Sequence, residues 1–210
     1  MAQNPNEVGR LVKAGNEYFE CLVPASQFGT PAFGDLVVAE ISPDYKVYGA
    51  IGLISIEPSG LTESVASADN LAKGTITDMR DRGTPARLGV VVVGFMENGK
   101  ISHLVPPRPP MSLAGVTIAS STEIVNFTKN RGYLRHILKA RSAAGVPMVE
   151  LLAAHISSAH TAHWNSGDKK WTYGAVSEMV TQLRDDYDNL MNFMQAISNL
   201  PAEALTKGEA

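Results

Sequence analysis

The chain has a single cysteine, Cys21, in 210 residues, so no internal disulfide can form, and a lone thiol suits a reducing compartment. No run approaches the ~18 apolar residues of a membrane span. The opening stretch, MAQNPNEVGRLVK, lacks the apolar core of a secretory leader, so a cytoplasmic protein is expected. Charge is sparse as well: 19% of residues are charged, and 18 Lys+Arg against 21 Asp+Glu leave a net charge of −3. That balance argues against wholesale polyanion binding as the chain's main purpose. A phosphate loop of the form GxxxxGK[ST] is missing, as are a His-Glu-x-x-His metal motif and a serine flanked by elbow glycines. What is present is a globular composition, 44% hydrophobic, long enough for one large domain or two small ones around a sizeable core.

The first 119 residues alternate short runs rich in Val, Ile, Tyr and Phe with Gly, Pro, Asn and Asp, as strands and turns do. Six strands are expected, at Glu17–Val23, Asp35–Ile41, Lys46–Glu57, Arg87–Met96, Lys100–Val105 and Gly115–Ala119. Asn98-Gly99 suits a tight hairpin turn between the fourth and fifth, because both central positions need positive φ. Six strands without βα alternation favour a small closed barrel. A polar, small-residue segment interrupts it at about 58–86, with a short helix expected at Leu61–Leu71.

From Ser120 the apolar period lengthens to about 3.6. Ser120 and Glu123 have the spacing of a capping box, so a helix is expected to start there, carrying Ile124, Phe127, Tyr133, Leu134, Ile137 and Leu138, with an interruption at Gly132. Pro147 suits the first turn of a second helix, with Met148, Leu151, Leu152, His155, Ile156 and Ala159 on one face. After Asn165–Asp168 one long helix is expected, its apolar side running through Val176, Met179, Val180, Leu183, Tyr187, Leu190, Met191, Met194 and Ile197, followed by a frayed tail, ALTKGEA. The fold class is therefore α+β in two parts: a six-stranded closed barrel over residues 1–119 and a helical bundle over 120–210.

Several motifs in the first part resemble the HAS barrel, the small β-barrel at the start of HerA-type translocases and of rotary ATP synthase catalytic-type subunits. They are Gly34-Asp35 with Val37 entering a strand, an aliphatic strand with Gly49 and Gly52, a Val-rich strand ending at Gly94, the segment Pro106-Pro107-Arg108-Pro109-Pro110 shortly before Val116 and Ala119, and the acidic helix start at Ser120–Glu123. The resemblance spans about residues 17 to 127. It implies a barrel fold and a role in subunit assembly. It does not carry over ATP hydrolysis, because helices follow the barrel where those families place a P-loop motor.

Among candidate sites, Gly94–Lys100 is the nearest thing to a phosphate loop, but Ile101 stands where a magnesium-binding hydroxyl belongs and a strand pattern follows. His155, His160 and His163 are weak metal candidates at unsuitable spacing; the alternative is one part-buried ring and two near a helix end whose dipole favours imidazolium. No cofactor is expected. Cys21 alternates with Phe19 and Val23 and should face the core. Residues 123–141 carry a local charge of +4, with Arg131, Arg135 and Lys139 four apart along one expected helix face, and residues 178–188 carry −3. The favoured reading is two solvated faces; phosphate contact along a nucleic acid is the less favoured one. The PPRPP segment is stiff polyproline, suited either to docking or to pinning a loop, with Arg108 the residue most exposed to a neighbour.

These readings converge on a non-catalytic assembly or protein–protein interaction module, with another copy or a separate ATPase as partner. The competing classes are a ligand-binding protein or enzyme with its site at the barrel–helix junction, the 58–85 segment serving as lid, and an accessory factor of a DNA-processing ATPase. An enclosed junction pocket would favour the enzyme; a filled junction favours the module.

Overall fold

A computed structural model of the chain describes residues 7–24, 31–56, 85–140 and 147–206. The expected helix at Leu61–Leu71 and nearly all of the 58–86 segment lie outside the described residues. Seven strands are described: β1 (Glu7–Ala14), β2 (Tyr18–Val23), β3 (Leu36–Ser42), β4 (Tyr45–Ile56), β5 (Ala86–Glu97), β6 (Lys100–Ser102) and β7 (Gly115–Ile118). Six of them form an antiparallel ring in the order β2-β1-β7-β3-β4-β5, closed by β2 pairing with β5. The closed six-stranded barrel is as expected, yet its membership differs. The Lys100–Val105 run shortens to β6, a hairpin flap on the outer edge of β5, and its place is taken by β1, which alternation alone did not reveal. Bulges beside Gly9 and between Leu11 and Lys13 break the period of two in β1. Gly9 is required there, because a Cβ would run into the Leu22 carbonyl of β2.

Inward-facing side chains fill the barrel: Leu11, Phe19, Cys21, Val37, Val47, Ile51, Leu88, Val90 and Val116. Val91 and Val93, one residue out of phase with Val90 and Val92, face outward under the helices with Leu36, Val38, Tyr48 and Ala50. The Val90–Val93 run is apolar throughout because β5 is buried on both faces. Cys21 lies in the barrel interior, where burial pushes its thiol up to about 12.

Six α-helices are described after the barrel: α1 (Ser121–Thr128), α2 (Leu134–Lys139), α3 (Met148–Asn165), α4 (Trp171–Leu183), α5 (Tyr187–Ala196) and α6 (Ala202–Leu205). The Ser120–Glu123 capping box forms reciprocally: the Glu123 amide donates to the Ser120 hydroxyl and the Ser120 amide donates to the Glu123 carboxylate. The first expected helix is interrupted at Lys129–Asn130 rather than at Gly132, and Arg131–Tyr133 form a 3₁₀ turn started by the Asn130 side chain. The long helix expected to run to Ile197 is likewise two. The first ends at Leu183 with Arg184 as its C-cap, and Asp186 starts the second by accepting from the Asn189 amide, so capping α5. The break resets the helical phase, so Phe193 and Ile197 turn inward while Tyr187, Met191 and Met194 lie exposed. The tail is ordered further than expected, with Ala204 of α6 buried. Among the described residues no helix is long and apolar enough to cross a membrane.

Candidate functional site

The proline segment lies across one end of the barrel. Asn16, in the β1–β2 turn, donates from Nδ2 to the Pro106 carbonyl at 2.7 Å, and the Tyr45 hydroxyl donates to the Arg108 carbonyl at 2.9 Å. The Arg108 guanidinium lies 4.8 Å from the centre of the Tyr45 ring and pairs with Glu97 at 3.2 Å, its side chain remaining 68% exposed. Pro106 and Pro110 are buried while Pro107, Arg108 and Pro109 face solvent. The segment is thus pinned at its ends and proud in its middle, combining the two alternatives read from sequence.

Large apolar residues flank it. Leu104, Val105, Met111 and Leu113 are exposed on the same segment, and so is Val12 of β1, next to the Leu11 to which Leu113 is hydrogen-bonded. Leu113 is 69% exposed and has a φ of 66°, a left-handed conformation that costs a bulky side chain energy. Two hydrogen bonds to β1 hold it there: its amide donates to the Leu11 carbonyl at 2.8 Å, and the Leu11 amide donates to the Ala114 carbonyl at 3.0 Å. Sequence reading singled out the prolines and missed these neighbours. The available signal was Leu104, Met111 and Leu113 standing in a proline-rich connection that has no strand period to bury them.

The junction between barrel and helices is filled. Tyr48 of β4 stacks on Phe127 of α1 with centroids 4.3 Å apart, and the His103 ring packs edge-on against Phe127 and Tyr133. The histidines each have their own partners. His155 is fully buried; its Nδ1 donates to the Gly34 carbonyl at 2.8 Å, and its Nε2 accepts from the Tyr133 hydroxyl at 2.9 Å. His163 stacks on Trp171 at 4.3 Å. The Thr128 hydroxyl donates to the Ile124 carbonyl, so Nε2 of His163 donates to Thr128 Oγ1 at 2.7 Å. His160 shares a hydrogen bond with Thr172 at 2.8 Å. No group of three His, Cys, Asp or Glu side chains suited to a metal occurs among the described residues. Burial holds His155, His160 and His163 below the ordinary imidazole value, so the imidazolium expected at the helix end is not favoured; desolvation outweighs the Asp168 carboxylate 3.6 Å from His163.

The basic stripe does not form one face, because Arg131 precedes the start of α2. Arg131 turns toward Glu178 of α4, 3.6 Å away, joining the basic and acidic runs at one point. Arg135 donates to the His103 carbonyl at 2.7 Å, a carbonyl shared with His136, and Lys139 is exposed at the end of α2. Gly94–Lys100 is the end of a strand and a hairpin turn, with Asn98 at φ 50° and Gly99 at φ 74°; no helix starts there. The described surface includes two open grooves of about 580 Å³ each, one along Lys13–Tyr18 and Val105, the other between residues 101–104 and Asn126, Phe127, Lys129 and Asn130, with Arg135. No protein-family model matches the chain, and no curated protein matches it.

Proposed function

We propose that the chain is a non-catalytic interaction module, an HAS-barrel-like domain joined to a helical bundle, whose 104–113 strap docks a protein partner. The observation that carries the proposal is Leu113: a large apolar side chain held exposed in an unfavourable backbone conformation by the barrel's own hydrogen bonds. Strain maintained at a solvent-facing residue is characteristic of recognition sites, and a rigid polyproline strap loses little entropy on docking. The aromatic filling between barrel and helices supports this reading over a ligand chamber at that junction. The internal partners of Arg131 and Arg135 weigh against a nucleic-acid stripe. The resemblance adds a separate ATPase as a partner class, alongside another copy, in a cytoplasmic setting that suits the lone thiol.

Leu113→Gly is the decisive variant. Glycine accepts φ 66° without strain, so thermal stability should hold or rise slightly, while the docking side chain is lost. Capture of partners from native lysate, compared between wild type and Leu113→Gly, should show bound protein falling at least about tenfold. Undiminished capture by the folded variant would refute the strap as the docking surface.

A further inference from the structure

Eight of the ten large apolar side chains exposed among the described residues fall into two patches: the strap patch (Leu104, Val105, Met111 and Leu113, with Val12) and a stripe on α5 (Tyr187, Met191 and Met194). The stripe follows the i, i+4, i+7 spacing of a helix face, and the reset at Asp186 leaves it exposed among the described residues. The charges that project furthest differ in sign between the two patches. Beside the strap patch the cations project outward over their acidic partners: Arg10 is 61% exposed over Glu7 at 22%, and Lys13 is 69% exposed over Glu20 at 15%. Arg108, 68% exposed, likewise projects beyond Glu97 at 44%, and Glu17 is an exposed carboxylate in the groove beside Val105. Around the start of α5 the exposed charges are Asp185, Asp186 and Asp188, with Arg184 the one cation nearby in sequence.

We infer that the partner of the strap is α5 of a second copy of this chain. This rests on the strap being a docking surface, and it names the occupant. Strap against strap would bring outward cations together, and α5 against α5 would oppose aspartates. Strap against α5 matches apolar face to apolar face and opposite charges at the rim. The chemistry also fits residue by residue. Exposed Pro107 and Pro109 suit the face of the exposed Tyr187 ring; Met111 and Leu113 suit the flexible thioethers of Met191 and Met194; and Arg108 suits the carboxylates of Asp185 and Asp188. Because the two surfaces differ, the contact is head-to-tail, so a pair of copies leaves one strap free at one end and one α5 free at the other unless the assembly closes on itself.

Head-to-tail contacts have a signature in mixing experiments. Wild type, Leu113→Asp, Met191→Asp and an equal mixture of the two variants are compared by sedimentation velocity at about 100 µM, where even a weak interface is occupied. Wild type should sediment as species larger than a monomer, and more weakly as salt rises. Each variant alone should self-associate at least about tenfold more weakly. The mixture should regain a 1:1 dimer and nothing larger, since it retains one intact strap and one intact α5. Leu113→Gly and Met194→Asp serve as second variants should either aspartate variant lose its circular dichroism spectrum. A monomeric wild type, or a mixture that stays monomeric, overturns the inference. Loss with Leu113→Asp but not with either α5 variant leaves the strap as a docking surface and overturns α5 as its occupant. Retention in every variant overturns both.

Discussion

The Tyr133 hydroxyl donates to Nε2 of the buried His155 at 2.9 Å, and the same ring donates from Nδ1 to the Gly34 carbonyl at 2.8 Å. One imidazole thus joins the turn before α2, the middle of α3 and the loop leading into β3. All three groups are inside the protein, so none has water as an alternative partner. Tyr133→Phe should therefore cost more than an exposed hydrogen bond, about 1–3 kcal/mol, because it strands a buried acceptor. Urea unfolding of wild type, Tyr133→Phe, His155→Phe and the double variant measures the coupling. Additive costs would mean that the two residues act independently.

Gly34 supplies the other end of that relay and has its own constraint. Its φ is +92°, and a Cβ would lie 2.7 Å from the backbone carbonyl carbon of Ala154 in α3. Gly34→Ala should destabilise through both strain and forced separation of the helix from the barrel. The expected loss exceeds the ~1 kcal/mol of a simple glycine replacement. A melting temperature within two degrees of wild type would show that α3 shifts freely, contrary to close packing here.

Stability should fall in mild acid. Burial holds His155 below the ordinary imidazole value of 6.5, against the opposing pull of Asp35; His163, which faces Asp168 and Arg131, is held below it as well. The unfolded chain therefore binds more protons than the folded one once pH drops below about 6.5, and folding loses ground by up to about 1.4 kcal/mol per pH unit for each such ring. Their contribution is complete above that value and is lost as pH falls toward the folded-state values. Melting temperatures from pH 8 to pH 5 should be level at first and then decline, and the decline should be shallower in His155→Phe.

Asp186 decides where the acidic run turns into α5. Asp186→Ala removes the side chain that accepts from the Asn189 amide and should cost about 1 kcal/mol. Asp186→Asn, which can still cap, should cost little. If both variants match wild type in urea, the break between α4 and α5 is set by packing of Phe193 and Ile197 rather than by the cap.

Local chemistry made much of this fold legible in advance. Alternation and the Asn98-Gly99 turn marked five of the six ring strands, Ser120 and Glu123 marked a helix start to the residue, and Cys21 was placed inward by its neighbours' period. Each of those signals acts within a few residues of the chain. What only the tertiary structure decided depends on distant contacts. β1 joins the ring because Gly9 lets it approach β2 and because β7, more than a hundred residues later, needs an edge partner. Tyr187, Met191 and Met194 continue an apolar pattern in sequence and are nevertheless exposed, because one capping aspartate resets the helical phase. Arg131 and Arg135 lose their common face because the chain breaks helix at Asn130, leaving Arg131 ion-paired with Glu178 and Arg135 donating to the His103 carbonyl. Leu113, for its part, stands in a connection with no strand period to bury it, but the left-handed backbone that holds it outward is set by two backbone hydrogen bonds to a strand a hundred residues earlier.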